Sequence, residues 1–318
     1  MDILKYEKLF TSKGYRNIVG IDEAGRGPLA GPVVAVAINC GTSNLIEGVK
    51  DSKKISEKKR SLLYDKILKS VVDVGIGIVH ENEIDSINIL QATYVAMRKA
   101  IKNLKIKPDL LLIDGNRADI KDFKQKNIIK GDSLSYSIAC ASIIAKVTRD
   151  KMMVEYSKVF PVYNFDKHKG YGTKYHLKAI YDNNACPIHR KSFKPISKYL
   201  PTLKSFKDEK KIRLLSCQIV AEKMIKKNAT IISFNEDFDI VSIKENILSF
   251  SSVNVKIGNK TINSKIPLNI VNLDNSIKNF ILNLNSESFN KVRIYNIVLE
   301  LKKDGHKINV KKDNLYDV

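Results

Sequence analysis

No stretch of this 318-residue chain approaches the roughly 18–20 consecutive apolar residues that a membrane-spanning helix requires. The opening MDILKYEKLFTSKGYRN is a short amphipathic stretch without the apolar core or small-residue cleavage site of a secretory signal. Cysteine is scarce and scattered: Cys40, Cys140, Cys186 and Cys217 form no CxxC pair, which argues against a structural zinc site and a disulfide framework. These absences point to a reduced, cytoplasmic protein with no membrane partner. Acidic residues are also in short supply, 34 against 55 lysines and arginines, for a formal net charge of +21. A basic excess of that size implies a polyanionic partner.

The charge is unevenly spread. Residues 206–318 hold 19 basic and 13 acidic side chains, net +6, which leaves +15 for residues 1–205. An isoleucine- and asparagine-heavy composition offers lysine drift as a bland explanation, and it suits the tail better than the first part. The hydrophobic fraction of 43% is ample for a core, and the length suggests one large domain or two smaller ones.

Short β-branched runs at 17–22, 33–38, 74–79 and 110–114 predict strands, each bounded by turn residues. Ser56 is placed to cap a helix over EKKRSLLYDKILKS, with Leu62, Ile67 and Leu68 among its inward candidates. Leu90, Thr93, Met97, Ile101 and Leu104 recur at spacings of three and four, one helical face. Residues 134–157, rich in small side chains, predict a further helix suited to close packing on a sheet. Strands interspersed with helices indicate a mixed α/β architecture. After SFKPISKYLP the pattern breaks, and 201–212 reads as a linker or exposed helix end. A second, smaller α/β unit then spans 213–318. It has a helical stripe at Leu214, Cys217, Ala221 and Met224, strands at 229–234, 238–243, 247–257, 292–301 and 306–310, and a helix over 274–284 capped by Asp274.

The chemistry concentrates in GIDEAGRGPLAGP, residues 20–32, where a core strand ends in Asp22 and Glu23 and enters a glycine-rich turn. Asp114 closes LLLID and Asp132 precedes a helix. Strand ends let side chains converge on a cleft, and carboxylate oxygens suit Mg²⁺ or Mn²⁺. Two such ions about 4 Å apart can activate a water and stabilise the leaving oxygen of a phosphodiester. Asp114 and Asp132 alone read equally well as turn and cap residues. Adjacent strand residues face opposite ways, so the pair Asp22–Glu23 is harder to assign to structure. Residue pattern alone reaches only as far as a candidate divalent-metal site.

The ordered segments GIDEAGRGPLAGPV, Asp51-Ser52-Lys53, Asp114-Gly115, Gly131-Asp132 followed by CASIIAK, KHKGYGT at 167–173 and CPIHR at 186–190 resemble ribonuclease HII. The resemblance covers residues 1–200 and departs only at Cys140, where alanine is usual. It implies a ribonuclease H-like mixed sheet flanked by helices. It also implies two-metal cleavage of RNA in RNA–DNA hybrids and 5′ of ribonucleotides embedded in duplex DNA, leaving 3′-OH and 5′-phosphate, by a protein expected to be monomeric. The metal ligands carry over to Asp22, Glu23, Asp114 and Asp132, holding two Mn²⁺ or Mg²⁺ ions. Contacts to the ribose 2′-OH map to Gly25, Arg26 and Gly27, and the tyrosine at the RNA–DNA junction to Tyr171. Lys53, Lys146, Lys167, Lys169 and Arg190 are phosphate candidates, and Ser142 shares a helical turn with Lys146. His168, His176 and His189 read as structural or phosphate-adjacent. A DNA-cutting ribonuclease H-like enzyme of resolvase or transposase type is the alternative, against which the KHKGY and DSK segments argue. A non-catalytic nucleic-acid-binding protein fits less well, because bare carboxylates repel phosphate.

FDIV with Asp239, SSVNVK with Lys256 and the VRIYNIVLEL strand resemble the YraN family, with its restriction-endonuclease-like fold. Asn254 stands where that family places a metal-binding glutamate, so the tail is expected to be an accessory domain without catalytic activity.

Overall fold

The computed structural model describes the chain apart from residues 1, 42–44, 50–54, 117, 202–207, 235–238, 264–288, 290, 303–304 and 318. It divides into two compact units, residues 1–153 with 167–200, and residues 154–166 with 201–318. The division is not a single cut, because the end of a long helix groups with the later unit.

The first unit begins with α1 (Lys5–Thr11), β1 (Ile18–Ala24), β2 (Val33–Asn39), α2 (Glu57–Ser70) and β3 (Asp73–Val79). It continues through α3 (Glu81–Ile87), α4 (Ile89–Lys102), β4 (Leu110–Asp114), β5 (Gln125–Ile128) and the start of α5 (Tyr136–Val159). The short α6 (Phe165–His168) follows, then α7 (Lys174–Asn183) and α8 (Lys194–Ser197). Its sheet runs β3-β2-β1-β4-β5, antiparallel across β3, β2 and β1 and parallel from β1 through β4 to β5. This is the mixed α/β sheet that the sequence predicts, with β5 added; the polar run Gln125–Ile128 carries no apolar alternation to signal it.

Each face of the sheet buries its own cluster. Val19, Ile21, Val33, Ala35, Ala37 and Leu111 pack under Ala92, Ala96, Met97 and Ala100 of α4. On the reverse face Val36 and Ile38 meet Leu63 and Ile67 of α2 and Ala139, Ile143 and Ala145 of α5. β2 is buried along its whole length because both faces are covered. Ser56 caps α2 as expected, accepting from the Lys59 amide, but Leu63 faces the core and Leu62 is 58% exposed. The α4 face holds at Thr93, Met97 and Ile101, whereas Leu90, one turn too early, is exposed.

α4 lies unusually close to β3 because Gly75 and Gly77 present no side chain to it. A Cβ on either would land on the carbonyl oxygens of Ala100 and Ala96. Gly77→Ala is therefore expected to destabilise the protein by about 1–3 kcal/mol through overpacking. Urea denaturation would read this as a lowered midpoint, and an unchanged midpoint would mean that the helix can back away without cost.

The second unit contains α9 (Glu209–Lys226), β6 (Thr230–Ser233), β7 (Ile240–Lys244), β8 (Ile247–Ile257), β9 (Lys260–Ile262), β10 (Lys291–Lys302) and β11 (Gly305–Asp317). The strand order is β11-β10-β8-β7-β6, with β9 on β8 and the β8–β10 pairing parallel. Asp208 caps α9 by accepting from the Lys210 amide, so residues 209–212 form the exposed helix end that the sequence allowed as the alternative to a linker. Cys217 and Ala221 of its predicted stripe are buried, but Leu214 is 54% exposed. The predicted helix over 274–284 and its cap Asp274 lie outside the described residues. Among the described residues no helix is long and apolar enough to cross a membrane.

Candidate active site

β1 carries the site because it outlasts its parallel neighbour. Ile21 pairs with Ile113, so the next residues, Asp22 and Asp114, emerge at the same end of the sheet. There β4 stops, while β1 continues through Ala24 paired only with β2. With that edge open, both faces of β1 reach one cleft, and the adjacent Asp22 and Glu23 both line it. The cleft holds about 290 Å³, and its wall also includes Gly25, Arg26, Gly27, Asp114, Ser142, Lys146 and Tyr171.

The carboxylates are electrostatically strained. Burial, then the charges of Glu23 and Asp114, hold the Asp22 carboxyl well above the usual range, against hydrogen bonds from the Ser142 side chain and the Glu23 amide. Glu23 is also raised, by burial and by Asp114, with Arg26 pulling the other way across a 3.3 Å ion pair. Asp114 is fixed by accepting from the Gly131 amide at 2.7 Å. Asp132, one residue later, is buried but does not form part of the cleft wall.

The donor set is all oxygen and the charge all negative, which fits a hard divalent cation. Among the described residues no three carboxylate, histidine or cysteine side chains close around a single point. An open arrangement of this kind suits an ion whose remaining ligands are water and substrate phosphate.

The lysine and arginine candidates separate. Lys146 stays on the cleft wall, its ammonium 2.6 Å from Asp150. Lys167 is exposed off that wall, and Lys53 lies outside the described residues. Lys169 is buried, its ammonium 3.5 Å from Glu57. Ser142 is buried too, and its hydroxyl serves Asp22.

Arg190 is not the phosphate contact that the sequence led us to expect. It is fully buried, and its guanidinium donates to the carbonyls of Gly25 (2.5 Å), Arg26 (2.9 Å), Gly31 (3.0 Å) and Pro32 (3.3 Å), so no face of it is presented to a phosphate. Arg149, which sequence reasoning missed, does the same from α5. It donates to Pro32 (2.9 Å), Ala30 (3.0 Å) and Lys169 (2.9 Å) carbonyls. The signal was present, since 142, 146 and 149 fall on one helical stripe. Burial and, for Arg190, the neighbouring Arg149 push these guanidinium groups down to about 10 and about 9. Two buried cations thus staple the underside of the glycine-rich turn. At Gly25 a φ of +100° and a Cβ that would overlap the Arg149 Nε admit only glycine.

The KHKGYGT segment docks on the same turn. The Leu29 amide donates to the Gly170 carbonyl at 2.8 Å, and the Gly31 amide to Ile188 at 2.8 Å. The Tyr171 ring stands over Gly27, where an added Cβ would meet it at 3.6 Å. His176 and His189 are buried and hydrogen-bonded to each other, as a structural reading expects.

In the second unit, one oxygen of Asp239 is ion-paired with Arg213, and the other accepts from the Val253 amide at 2.7 Å. The Asn254 amide is bonded to Asn296.

The ribonuclease HII family model matches residues 19–196. The ribonuclease HII of Endomicrobium trichonymphae is 50% identical over 197 residues, 62% of this chain and 94% of that protein. That of Clostridioides difficile is 58% identical over 181 residues, 57% of this chain and 71% of that protein. The solved PCNA:RNase HII complex from Archaeoglobus fulgidus shares the fold, at 24% identity and a TM-score of 0.50, covering 59% of this chain and 100% of that one. With a carboxylate cleft, a stapled glycine turn and a family match over more than half its length, the chain belongs to the ribonuclease HII family.

Proposed function

We propose that this chain is an endoribonuclease that hydrolyses RNA in RNA–DNA hybrids and cuts 5′ of ribonucleotides embedded in duplex DNA, leaving 3′-OH and 5′-phosphate ends. The observation that carries this reading is the convergence of Asp22, Glu23, Asp114, the Gly25–Gly27 turn and Tyr171 on one cleft. Asp22, Glu23 and Asp114 would hold the Mg²⁺ or Mn²⁺ ions, two of them with Asp132, off that wall, as the fourth ligand that the resemblance implies, and such ions would supply charge to activate a water and stabilise the leaving oxygen. Ser142 orients Asp22 through its hydroxyl. Arg26 tempers Glu23, and Lys146 offers charge to the backbone on the cleft wall.

Selectivity follows from the turn. The 2′-OH separates RNA from DNA at a single nucleotide, and a backbone stapled from below by Arg149 and Arg190 can meet it with main-chain groups. The Tyr171 ring packs on the deoxyribose side of the junction, where a hydroxyl would not fit. The second unit serves as an accessory domain: Asp239 is neutralised by Arg213, and Asn254 replaces an acidic ligand. Its net positive charge would raise affinity for long duplexes in a salt-dependent way.

A labelled DNA duplex with one ribonucleotide, incubated with Mg²⁺ or Mn²⁺, should be nicked 5′ of that ribonucleotide. The absence of a metal-dependent nick would sink the reading, and cleavage of all-DNA duplex would favour a resolvase-like enzyme. Tyr171→Ala should reduce cleavage at the single ribonucleotide by about 1–3 kcal/mol of transition-state stabilisation, and cleavage of a long hybrid by less. Equal loss on both substrates would make Tyr171 a packing residue.

A further inference from the structure

We propose that His189 and His176 are positioning residues for Tyr171, joined in a chain of hydrogen bonds that admits a single order of protons. This rests on the junction role of Tyr171 given above. The order follows from the partners. The Cys186 amide donates to His189 Nδ1 at 2.9 Å, and an amide N–H can only donate, so Nδ1 is bare. Neutral His189 therefore carries its proton on Nε2. That nitrogen lies 3.0 Å from His176 Nε2, which must accept. The proton of His176 is then on Nδ1, 2.9 Å from the carbonyl oxygen of Tyr171. Each link dictates the next, from the CPIHR segment to the residue that faces the cleft.

The surroundings keep both rings neutral. His176 and His189 are buried at 0% and 1% exposure. Burial first, and then neighbouring histidines, push them down to about 4 and about 3. The groups facing them include the His168 ring, stacked 4.5 Å from His176, and the Cys186 thiol, 3.1 Å from His189. A proton added to the lone pair of either ring would set two donors against each other, at Cys186 for His189 or between the rings for His176.

The end of the chain is where function enters. The Tyr171 carbonyl also accepts from the Thr173 amide at 2.8 Å, and its own amide donates to the His168 carbonyl at 3.0 Å. The main chain is thus pinned on both sides of a residue that is itself 46% exposed, so the main chain aims its ring. Ala30 and His189 form a bridge, which ties the same histidine to the glycine-rich turn. One residue therefore references the tyrosine to the 2′-OH-sensing backbone, and small errors in such placement are costly in rate.

The test uses the full chain and the ratio of kcat/KM on a single embedded ribonucleotide to that on a long RNA–DNA hybrid. His189→Leu removes the chain, whereas His189→Gln keeps an amide N–H near the position of Nε2. His189→Leu is expected to lower the ratio roughly tenfold, His189→Gln to bring it back within about threefold of wild type, and His189→Leu to leave the ratio unmoved in a Tyr171→Ala background. Equal loss on both substrates, or a full His189→Leu effect in the Tyr171→Ala background, would overturn the proposal. An unchanged ratio in Tyr171→Ala alone would instead remove the junction reading, and the substrate effect of the chain with it. Should the leucine variant fail to fold, ¹⁵N NMR of the wild-type histidines still decides the proton order. Protonation of His189 on Nε2 and of His176 on Nδ1 is expected, and either opposite tautomer overturns the chain.

Discussion

Replacing Asp22 by asparagine is expected to lower kcat by about a thousandfold or more, roughly 4 kcal/mol of transition-state stabilisation, while substrate binding is kept or strengthened. Asparagine matches the side chain in size and retains an oxygen to accept from the Glu23 amide, which bonds Asp22 at 2.7 Å. What it removes is the charge that would hold a cation, and a negative charge that repels the scissile phosphate. The same change should stabilise the metal-free protein, with a pH dependence whose sign follows from burial. The folded carboxyl is raised above its unfolded value, so the folded state retains a proton that the unfolded state has released. Wild-type stability should then fall as pH rises above the ordinary carboxylate range, and Asp22→Asn should show a smaller decline, the part that the raised Glu23 contributes remaining. Thermal melts with and without Mg²⁺ across pH 4–8 check this, and a wild-type cleavage rate at saturating metal would remove Asp22 from the site. The variant also tests the second unit. Any residual metal-dependent cut that disappears on adding Lys256→Ala would mean that the tail carries a working nuclease.

Arg190→Met should cost about 3–5 kcal/mol of stability, because it leaves a set of buried carbonyls without their donor. The affected groups are Gly25, Arg26 and Gly31, whereas Pro32 keeps its donor in Arg149, so the turn that reads the 2′-OH should loosen. A lowered melting temperature is expected together with weaker discrimination between a ribonucleotide and a deoxyribonucleotide. The salt dependence of binding separates this from a phosphate contact. Loss of one phosphate contact lowers the slope of log K against log[salt] by about 1, whereas loss of a buried staple leaves the slope in place. A variant with wild-type stability and a reduced slope would restore Arg190 to the substrate. Arg190→Lys should rescue little, because an ammonium cannot span the carbonyls that the guanidinium fork reaches.

Much of the site was legible along the chain because it is built from local signals. A β-branched strand ending in Asp22 and Glu23, three glycines in the turn after it, and a second strand ending in Asp114 are properties of short segments. So is the helix cap at Ser56, whose side-chain oxygen needs only a neighbouring amide. Periodicity likewise placed Thr93, Met97 and Ile101 in the core, because a helix repeats on itself. It misplaced Leu62, Leu90 and Leu214, since which edge of an apolar stripe is covered depends on where the partner element stops.

The tertiary structure alone decided the rest. Glu7 of α1 accepts from the Ser135 hydroxyl and from the amide and hydroxyl of Ser137, at the N-terminus of a helix that starts about 130 residues later. Arg190 looks the same in sequence whether it reaches a phosphate or a carbonyl. Only its burial beneath the glycine turn, 159 residues away from Gly31, shows that the backbone engages all three guanidinium nitrogens. The tautomers of His189 and His176 are equally invisible, because a proton's position is set by what faces the ring. Sequence by itself determined the charge, the carboxylates and the glycine turn. Folding determined which cations face the substrate and which are consumed inside, because desolvation forces each buried donor onto whatever acceptor the packing supplies.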